Sequence, residues 1–357
     1  MTSIRQNTRC HLVIAACSIS LLLVFLAVRQ SNYTTPEWAS SHSQQTPLAH
    51  DTEIELQTAR AGNGTLGFEK VLVLGLKERT DKRDAMILSS SLTGFEVEFV
   101  DAVKGEDVLD KARPAGFTMS GGVLGSWRAH INAIRSVLER KLSSVLIMED
   151  DVDWDVRIQS QMPEFAKGVR SVSGIPITEP QHSPYGDDWD ILWPGHCGEV
   201  GPEKDEPIYI ISNDATVAPK EHQPWLKLLK DYPEGTRIVH RGIAPICVFS
   251  YAVSRRGAQK LMASLATKTS YDLAFDNQLA FACKDKLLDL KCYSVEPMLF
   301  YHHRPAGSIN KDSDIAGSKP EDADNIREKG ITDNIVWSAR LNLEKLIAGS
   351  KDYITQW

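Results

Sequence analysis

Three consecutive carboxylates follow an apolar segment near the middle of the chain. Val145–Met148 is apolar throughout and leads directly into Glu149, Asp150 and Asp151. Such a segment predicts a buried strand, and open α/β sheets bind ligands beyond the carboxyl ends of their strands. Carboxylates this close together repel each other unless they are solvated or share a hard cation such as Mn²⁺ or Mg²⁺. The pattern therefore favours a metal site that neutralises a diphosphate leaving group, and a solvated acidic turn that caps a helix is the alternative.

Histidine and arginine residues elsewhere could serve the same site. His302 and His303 follow an apolar run, where an imidazole could complete the metal shell or contact a diphosphate. Arg79 is a candidate diphosphate partner, because guanidinium binds phosphate through two parallel hydrogen bonds. His130 lies beside the apolar stripe of a predicted helix. There, a buried structural histidine is favoured over a role in the donor pocket.

The elements around these residues alternate between strand and helix patterns. One helix-length stripe, which includes Trp127 and Ile131, has apolar residues every three to four positions. The opening order of strand, helix and strand is typical of a parallel sheet. The predicted strands cover residues 70–76, 95–100, 144–148, 189–193, 207–212, 247–253 and 293–297, and the predicted helices cover 80–92, 122–140 and 254–266.

The first 66 residues differ from the rest of the chain. Residues 12–28 are almost entirely apolar, with two arginines before them and one after. At about 1.5 Å per residue this stretch spans about 25 Å, and the charge bias favours a cytosolic N-terminus. We therefore predict a cytosolic tail (1–11), a transmembrane signal-anchor (12–28) and a flexible stem (29–66). The expected location is the Golgi (or ER) membrane, as a single-pass type II protein with a lumenal domain; a cleaved signal peptide is the alternative.

Composition and cysteine content narrow the class of protein. The net charge is −7 and no basic stripe is present, which argues against binding to nucleic acid. Four of the six cysteines lie outside the predicted anchor, which allows three disulfide connectivities. Cys283 and Cys292 are the favoured pair, because their nine-residue separation suits a local loop; buried free thiols are the alternative.

Three segments together resemble glycosyltransferase family 25, the lipopolysaccharide-type and collagen-type galactosyltransferases, and especially its fungal members. Val71–Arg83 is similar to the family's opening strand and basic turn, and Gly125–His130 is similar to its helix start. Leu146–Val152 is similar to the Leu-Glu-Asp-Asp-Val end of the family's central strand. Weaker similarities extend the resemblance in order over roughly residues 70 to 315.

The resemblance implies a GT-A-like α/β fold with a mostly parallel sheet flanked by helices. That domain would cover 67–315, ahead of a polar C-terminal extension with a short helix at 316–357. The resemblance also implies a nucleotide-sugar donor, most often UDP-galactose, a divalent metal and inversion at the anomeric carbon. Carried over, the metal-associated positions are Glu149 and Asp151, with His302 as a further candidate, and the donor-binding candidates are Leu74, Gly75, Arg79, His130 and Asp150. Gly75 departs from the family, which often has Asn there.

An inverting transfer needs one base to take the proton from the acceptor hydroxyl. Asp272 and Asp276 are the candidates, and Asp272 matches the family's Pro-Val-Asp position. If this stretch is helical, their spacing places both on one face; the alternative is a helix cap and a solvated residue. The expected function is transfer of a sugar to a glycan or protein acceptor. A non-catalytic lumenal relative that acts as a binding or adhesion module is the alternative.

Overall fold

A computed structural model describes residues 57–176, 179–223, 225, 228–267, 272–315 and 325–357. Its central feature is an eight-stranded sheet. From one edge to the other, the strands are β2 (Glu98–Asp101), β1 (Lys70–Gly75), β3 (Ser144–Glu149), β10 (Ser250–Ser254), β5 (Ile191–Gly195), β11 (Cys292–Glu296), β8 (Arg237–Arg241) and β7 (Ile208–Ile211). Six of these strands run in one direction, and β8 and β10 run in the opposite direction. The common direction of six strands agrees with the mostly parallel sheet that the resemblance implies, although β8 and β10 make four of the seven neighbouring pairs antiparallel.

Helices cover both faces of the sheet, which explains why its inner strands are apolar at nearly every position. The helices are α1 (Thr80–Thr93), α2 (Gly121–Glu139), α3 (Ile158–Val172), α4 (Arg255–Leu261), α5 (Phe275–Lys284) and α6 (Leu343–Ile347). Successive strand residues point to opposite faces. Val71 of β1 therefore packs in one core with Phe165 of α3, and Leu72 packs in the other with Ile131 of α2.

Short strand pairs extend from the main sheet. They are β4 (Val152–Trp154) with β12 (Phe300–His302), β6 (Gly198–Val200) with β9 (Ile243–Ile246), and β13 (Gly307–Ser308) with β14 (Ile326–Arg327). The first pair matters most for the site. Because β4 begins directly after Asp151, pairing of Val152 with His302 brings the histidine segment beside the carboxylates.

Every predicted strand overlaps an observed strand, whereas one long helix has no counterpart in the sequence analysis. Ser254 caps α4 as predicted, and its hydroxyl accepts a hydrogen bond from the Gly257 amide at 3.0 Å. The unpredicted helix is α3, which contains Pro163 and Gly168, two residue types that disfavour helix interiors. Tertiary packing stabilises it nonetheless. A Cβ at Gly168 would lie 2.5 Å from Val239 of β8, so the glycine permits close helix–sheet packing.

The fold class and the location predicted from the sequence need correction in one respect. They include a transmembrane helix ahead of the sheet and, from it, a single-pass Golgi membrane protein. Within the part of the chain that the structure describes, no helix is both long and apolar enough to cross a bilayer. The segment 12–28, on which that prediction depends, lies outside the described residues, as do the tail 1–11 and most of the stem.

Buried residues extend beyond both predicted limits of the 67–315 domain. Ala61 and Leu66 are fully buried in the core on the α3 face. On the C-terminal side, the buried carboxylate of Asp153 accepts hydrogen bonds from the hydroxyls of Thr332, at 2.7 Å, and Ser338. Asp153, a residue of β4, thus holds the C-terminal segment against that strand.

Two disulfides join loops and strand ends. Cys283 at the end of α5 is bonded to Cys292 at the start of β11, which confirms the predicted pair. A second disulfide joins Cys197 to Cys247 across 50 residues. Disulfides of this kind are typical of proteins that fold in an oxidising compartment.

Candidate active site

A cavity of about 690 Å³ opens at the carboxyl ends of β1 and β3. Its lining comes from those two strand ends, the first turns of α2 and α5, the Cys197–Cys247 disulfide, and the segment after β12. Volumes of several hundred Å³ are typical of small-molecule sites, and a sheet's carboxyl edge is where open α/β folds place them. Among the predicted site residues, the lining includes Leu74, Gly75, His130, Glu149, Asp150, Asp151, Asp276 and His302.

Asp150 lies at the floor of the cavity against Gly75. The Lys82 ammonium lies 3.1 Å from one Asp150 oxygen and 2.9 Å from Asp314, so it bridges two carboxylates. Burial raises the pKa of Asp150 to about 6, with the charge of Asp151 adding to the effect and Lys82 opposing it. A Cβ at Gly75 would lie 2.4 Å from an Asp150 oxygen. Glycine at this position is therefore required by the close approach of the carboxylate.

Asp151 faces the segment that follows β12. Arg304 donates a hydrogen bond to one Asp151 oxygen at 3.2 Å, whereas the other oxygen is buried without a partner. The same guanidinium lies 3.0 Å from Nδ1 of His302, which must accept because arginine has only donors. Burial lowers the pKa of His302 to about 4, and the Arg304 charge adds to this, so the imidazole is neutral at pH 7.

Glu149 is positioned from the other side by a buried histidine. The Tyr251 hydroxyl lies 3.0 Å from Nδ1 of His130, and Nε2 of His130 lies 3.7 Å from the Glu149 carboxylate. Burial raises the pKa of Tyr251 well above its usual value, so its hydroxyl stays protonated in this hydrogen bond with Nδ1. Phe275 stacks on the imidazole with ring centres 4.5 Å apart. His130 is thus a satisfied core histidine, as favoured from the sequence, and also lines the cavity.

The charge of the lining bears on metal binding. Among the described residues that line the cavity, six are acidic and three are cationic. A diphosphate would meet net repulsion there unless a divalent cation accompanied it. The buried, unpartnered oxygen of Asp151 is a free ligand atom for such an ion, and Glu149 is the other carboxylate on the same edge. The donor set therefore fits a hard divalent ion that also binds phosphate oxygens.

His302 fits less well as a ligand than the two carboxylates do. Its Nδ1 lone pair already accepts from Arg304, so the neutral ring carries its proton on Nε2. A compact site would need three histidine, cysteine or carboxylate side chains whose ligand atoms all lie within 4.8 Å of one another. In the part of the chain that the structure describes there is one such set, and it lies outside this cavity. The ligand atoms of Glu149, Asp151 and His302 line one cavity without converging that closely.

The two candidate bases are separated by the start of α5. Asp272 precedes the helix, is exposed, and accepts hydrogen bonds from the Thr118 amide, at 2.7 Å, and hydroxyl. It is not part of the cavity lining, whereas Asp276 in the first turn of α5 is. Asp276 accepts a hydrogen bond from the Cys247 amide at 3.1 Å. Because the helix begins at Phe275, the two carboxylates do not share a helix face.

Arg79 and the residues around it form an ion-pair network beside the cavity. Its guanidinium binds Asp81, at 2.9 Å, and Asp314, and these carboxylates hold its pKa above the usual value. Arg79 is not among the lining residues; the cation of this region that lines the cavity is Lys82. Arg79 thus positions Asp314, which in turn binds Lys82.

Sequence reasoning missed five charged residues of the lining: Lys104 and Glu106 after β2, and Lys82, Arg304 and Asp314 in the ion pairs described above. Lys82 and Arg304 lie inside segments that carry the family resemblance, and that position was the available signal for both. Asp314 lies in a polar segment with no periodicity, and no sequence signal points to it. It enters the site only because the chain after β12 returns to α1, where Lys82 lies.

Comparisons with known proteins find distant relatives of one kind. Procollagen galactosyltransferase 2 of Mus musculus is 20% identical over 258 residues, which cover 66% of this chain and 35% of that protein. The probable inactive glycosyltransferase 25 family member 3 of Bos taurus is 24% identical over 314 residues, or 82% of this chain and 44% of that protein. Procollagen galactosyltransferase 1 of Danio rerio is 21% identical over 313 residues, covering 80% of this chain and 45% of that protein. No protein-family model matches the chain.

Each match covers less than half of the relative's own length. The same matches cover 66% to 82% of this chain. The names of these relatives support a glycosyltransferase and, with it, a nucleotide-sugar donor.

Proposed function

The chain is related to glycosyltransferase family 25, and from this relationship we propose that it transfers galactose from UDP-galactose to a hydroxyl of a glycan or protein. The reaction is an inverting, metal-assisted single displacement in the cavity at the ends of β1 and β3. The observation that carries the proposal is the set of separately positioned carboxylates, Glu149, Asp150, Asp151 and Asp276, in one cavity.

Each carboxylate has its own role in this reaction. Glu149 and Asp151 hold Mn²⁺ or Mg²⁺, which when bound stabilises the negative charge that develops on the leaving diphosphate. His130 positions Glu149, and Arg304 positions Asp151 while presenting a cation at the cavity wall. Asp150 binds Lys82, which faces the donor phosphates together with Arg304.

Asp276 takes the proton from the acceptor hydroxyl. Its carboxylate lines the cavity and is fixed by the Cys247 amide, so it is oriented before the acceptor binds. One displacement needs one base, and a carboxylate acts as an acceptor of that proton only when it is within hydrogen-bond reach. We assign the role to Asp276 and not to Asp272, because Asp272 lies outside the lining and accepts hydrogen bonds from Thr118.

A donor-hydrolysis screen tests the proposal directly. The full chain is incubated with UDP-, GDP- and CMP-sugars in the presence of Mn²⁺, Mg²⁺ or EDTA, and released sugar is measured. We expect metal-dependent release from UDP-galactose that is lost in Asp151→Asn. Asp285→Asn is the matched control, because this carboxylate is exposed at the end of α5 and does not line the cavity. Equal loss in both variants, or release that ignores EDTA, would contradict the assigned roles.

A non-catalytic binding module is the second candidate, favoured by the relatives named inactive. The human inactive glycosyltransferase 25 family member 3 is 25% identical over 284 residues, which cover 73% of this chain and 41% of that protein. In a binding module, Lys82 and Arg304 would take the place of the metal as partners of Asp150 and Asp151. UDP would then raise the melting temperature equally with and without EDTA, and no donor would be hydrolysed. Metal-dependent protection with turnover would reject this candidate.

A further inference from the structure

Four buried ligand atoms without partners meet at a second place in the fold, apart from the cavity. They are Oε1 of Glu199, Nε2 of His240 and both carboxylate oxygens of Glu296. Glu199 lies on β6, His240 on β8 and Glu296 at the end of β11, and all three side chains are at most 1% exposed. Buried polar atoms are normally hydrogen-bonded, so four unpartnered atoms in one cluster need an explanation.

The cluster has the dimensions of a metal site. Nε2 of His240 lies 3.5 Å from Oε1 of Glu199, and Nε2 of His196 lies 3.9 Å from the same oxygen. Ligand atoms of His196, Glu199 and Glu296 all lie within 4.8 Å of one another. The convergent group contains His196 and not His240, which reaches the cluster through Glu199. A tetrahedral ion about 2.1 Å from each ligand holds its ligand atoms about 3.4 Å apart, so His240 and Glu296 would move toward each other to close the shell.

Hydrogen bonds show that the two histidines carry their ring protons on different nitrogens. Nδ1 of His240 donates to the Arg241 carbonyl at 2.8 Å, which leaves a free lone pair on Nε2 aimed at Glu199. A backbone carbonyl in this position is the usual partner of a metal-bound histidine. His196 is the reverse case: its Nδ1 accepts from the Gly198 amide at 3.0 Å, so its Nε2 carries the proton. His240 is therefore the ligand, whereas His196 donates from Nε2 to the Val295 carbonyl at 3.1 Å and has both ring nitrogens occupied.

Two carboxylates with so few donors need compensation by positive charge. Oε2 of Glu199 accepts from the Ile243 amide at 3.0 Å, and the Ser294 hydroxyl also lies beside this carboxyl group. The Glu199 amide approaches Glu296 without hydrogen-bond geometry. Burial raises the pKa of both carboxyl groups, and the charge of Glu199 contributes to the rise for Glu296. Either two protons or one divalent cation can satisfy the pair.

We propose that Glu199, His240 and Glu296 bind one divalent transition-metal ion, with Glu296 contributing both oxygens. One imidazole nitrogen and three carboxylate oxygens suit Zn²⁺ or Mn²⁺, and the ion's charge balances the two carboxylates. The site is structural, because its ligands are buried and it joins three strands, β6, β8 and β11. It is separate from the Glu149 and Asp151 site and does not rest on the proposed transfer reaction.

The metal would also stabilise one wall of the cavity. His196 and Glu199 flank Cys197, whose disulfide to Cys247 lines the cavity and whose partner's amide binds Asp276. An ion at Glu199 therefore restrains the loop between β5 and β6 that positions this disulfide.

Metal analysis of the purified full chain tests the proposal. The protein is dialysed against EDTA in the folded state, and Zn and Mn are counted by inductively coupled plasma mass spectrometry. We expect about one equivalent of metal to remain, because the ligands are buried, and to be released when guanidinium unfolds the chain. The Asp151→Asn chain should retain the same amount. Less than about a tenth of an equivalent in wild type, with no uptake of Zn²⁺ or Mn²⁺ on refolding, would overturn the proposal.

A paired variant separates a metal from two protons. In Glu199→Gln/Glu296→Gln, neutral side chains of the same shape replace both carboxyl groups. If protons compensate the pair, this variant melts at the wild-type temperature, and the proposal is wrong. If a metal does, the variant lacks the ion and melts at a lower temperature that Zn²⁺ and Mn²⁺ do not raise. Should the variant fail to fold, the metal count of the wild-type chain still decides the question.

Discussion

Substitution of Gly75 by alanine tests the packing at the floor of the cavity. An alanine Cβ would lie 2.4 Å from an Asp150 oxygen and 2.8 Å from the Asp150 Cβ, whereas ordinary contacts begin at 3.4 Å. The strand cannot shift to make room, because Gly75 pairs with Asp101 and its carbonyl accepts from Ala102 and Arg83, both at 3.0 Å. Asp150 must therefore move by about 1 Å, which disturbs its 3.1 Å contact with Lys82.

The expected loss of stability follows from these contacts. Overpacking of this kind costs about 1–3 kcal/mol, and weakening the partly buried Lys82–Asp150 ion pair adds about 1 kcal/mol. We expect the free energy of unfolding of Gly75→Ala to fall by about 2–4 kcal/mol. In an Asp150→Gly background both the carboxylate and the Cβ are absent, so the same substitution should cost at least about 1 kcal/mol less.

Urea unfolding, followed by tryptophan fluorescence, measures these differences by linear extrapolation. Gly64→Ala is the control, because a Cβ there would meet only the Gly94 carbonyl, at 3.9 Å. UDP affinity is measured in parallel, and we expect it to fall only in the Gly75 variant. Equal stability of the two single variants, or the same cost of Gly75→Ala with and without the Asp150 side chain, would refute the reasoning.

Three further predictions follow from the site and the disulfides. Asp276→Asn should lower kcat by about 10²- to 10⁴-fold in a transferase assay, whereas Asp272→Asn should change it less than about tenfold. The pKa of Asp150 is raised by burial from 3.8 to about 6, so the folded state binds this proton more tightly. With EDTA present, the urea-derived free energy of unfolding should therefore fall by up to about 3 kcal/mol from about pH 4 to about pH 7, and Asp150→Asn should remove the effect. Replacing both cysteines of Cys197–Cys247 by serine should lower the free energy of unfolding by about 4 kcal/mol in the same assay, against about 2.6 kcal/mol for Cys283–Cys292. The difference arises because the first disulfide closes a 50-residue loop and the second a nine-residue loop. Equal costs would contradict this account.

The strands and the central helix were predictable because their signals are local. The apolar run before Glu149 predicts β3, and the stripe through Trp127 and Ile131 predicts α2. The capping role of Ser254 follows from its residue type at a strand–helix junction. Helix α3 was not predicted, because Pro163 and the polar residues of its first turns obscure its apolar periodicity. Tertiary packing stabilises this helix in the folded chain.

The base assignment shows where local spacing misleads. Four residues separate Asp272 from Asp276, which on a helix would place both on one face. The helix begins between them, at Phe275, and Asp272 bonds to Thr118 instead. Helix starts depend on which backbone donors find partners in the folded chain, and the sequence near a start does not specify those partners.

By itself, the sequence determined that a buried strand ends in a carboxylate cluster, that Cys283 and Cys292 can form a short loop, and that the chain resembles family 25. Periodicity and residue type carry such information, since both act over a few residues. Only the tertiary structure decided which cations face the carboxylates and which buried atoms remain without partners. Lys82 contacts Asp314, 232 residues further along the chain. Glu199 on β6 lies beside Glu296 on β11. The order of strands in the sheet sets those meetings, and sheet order follows from the packing of the whole domain.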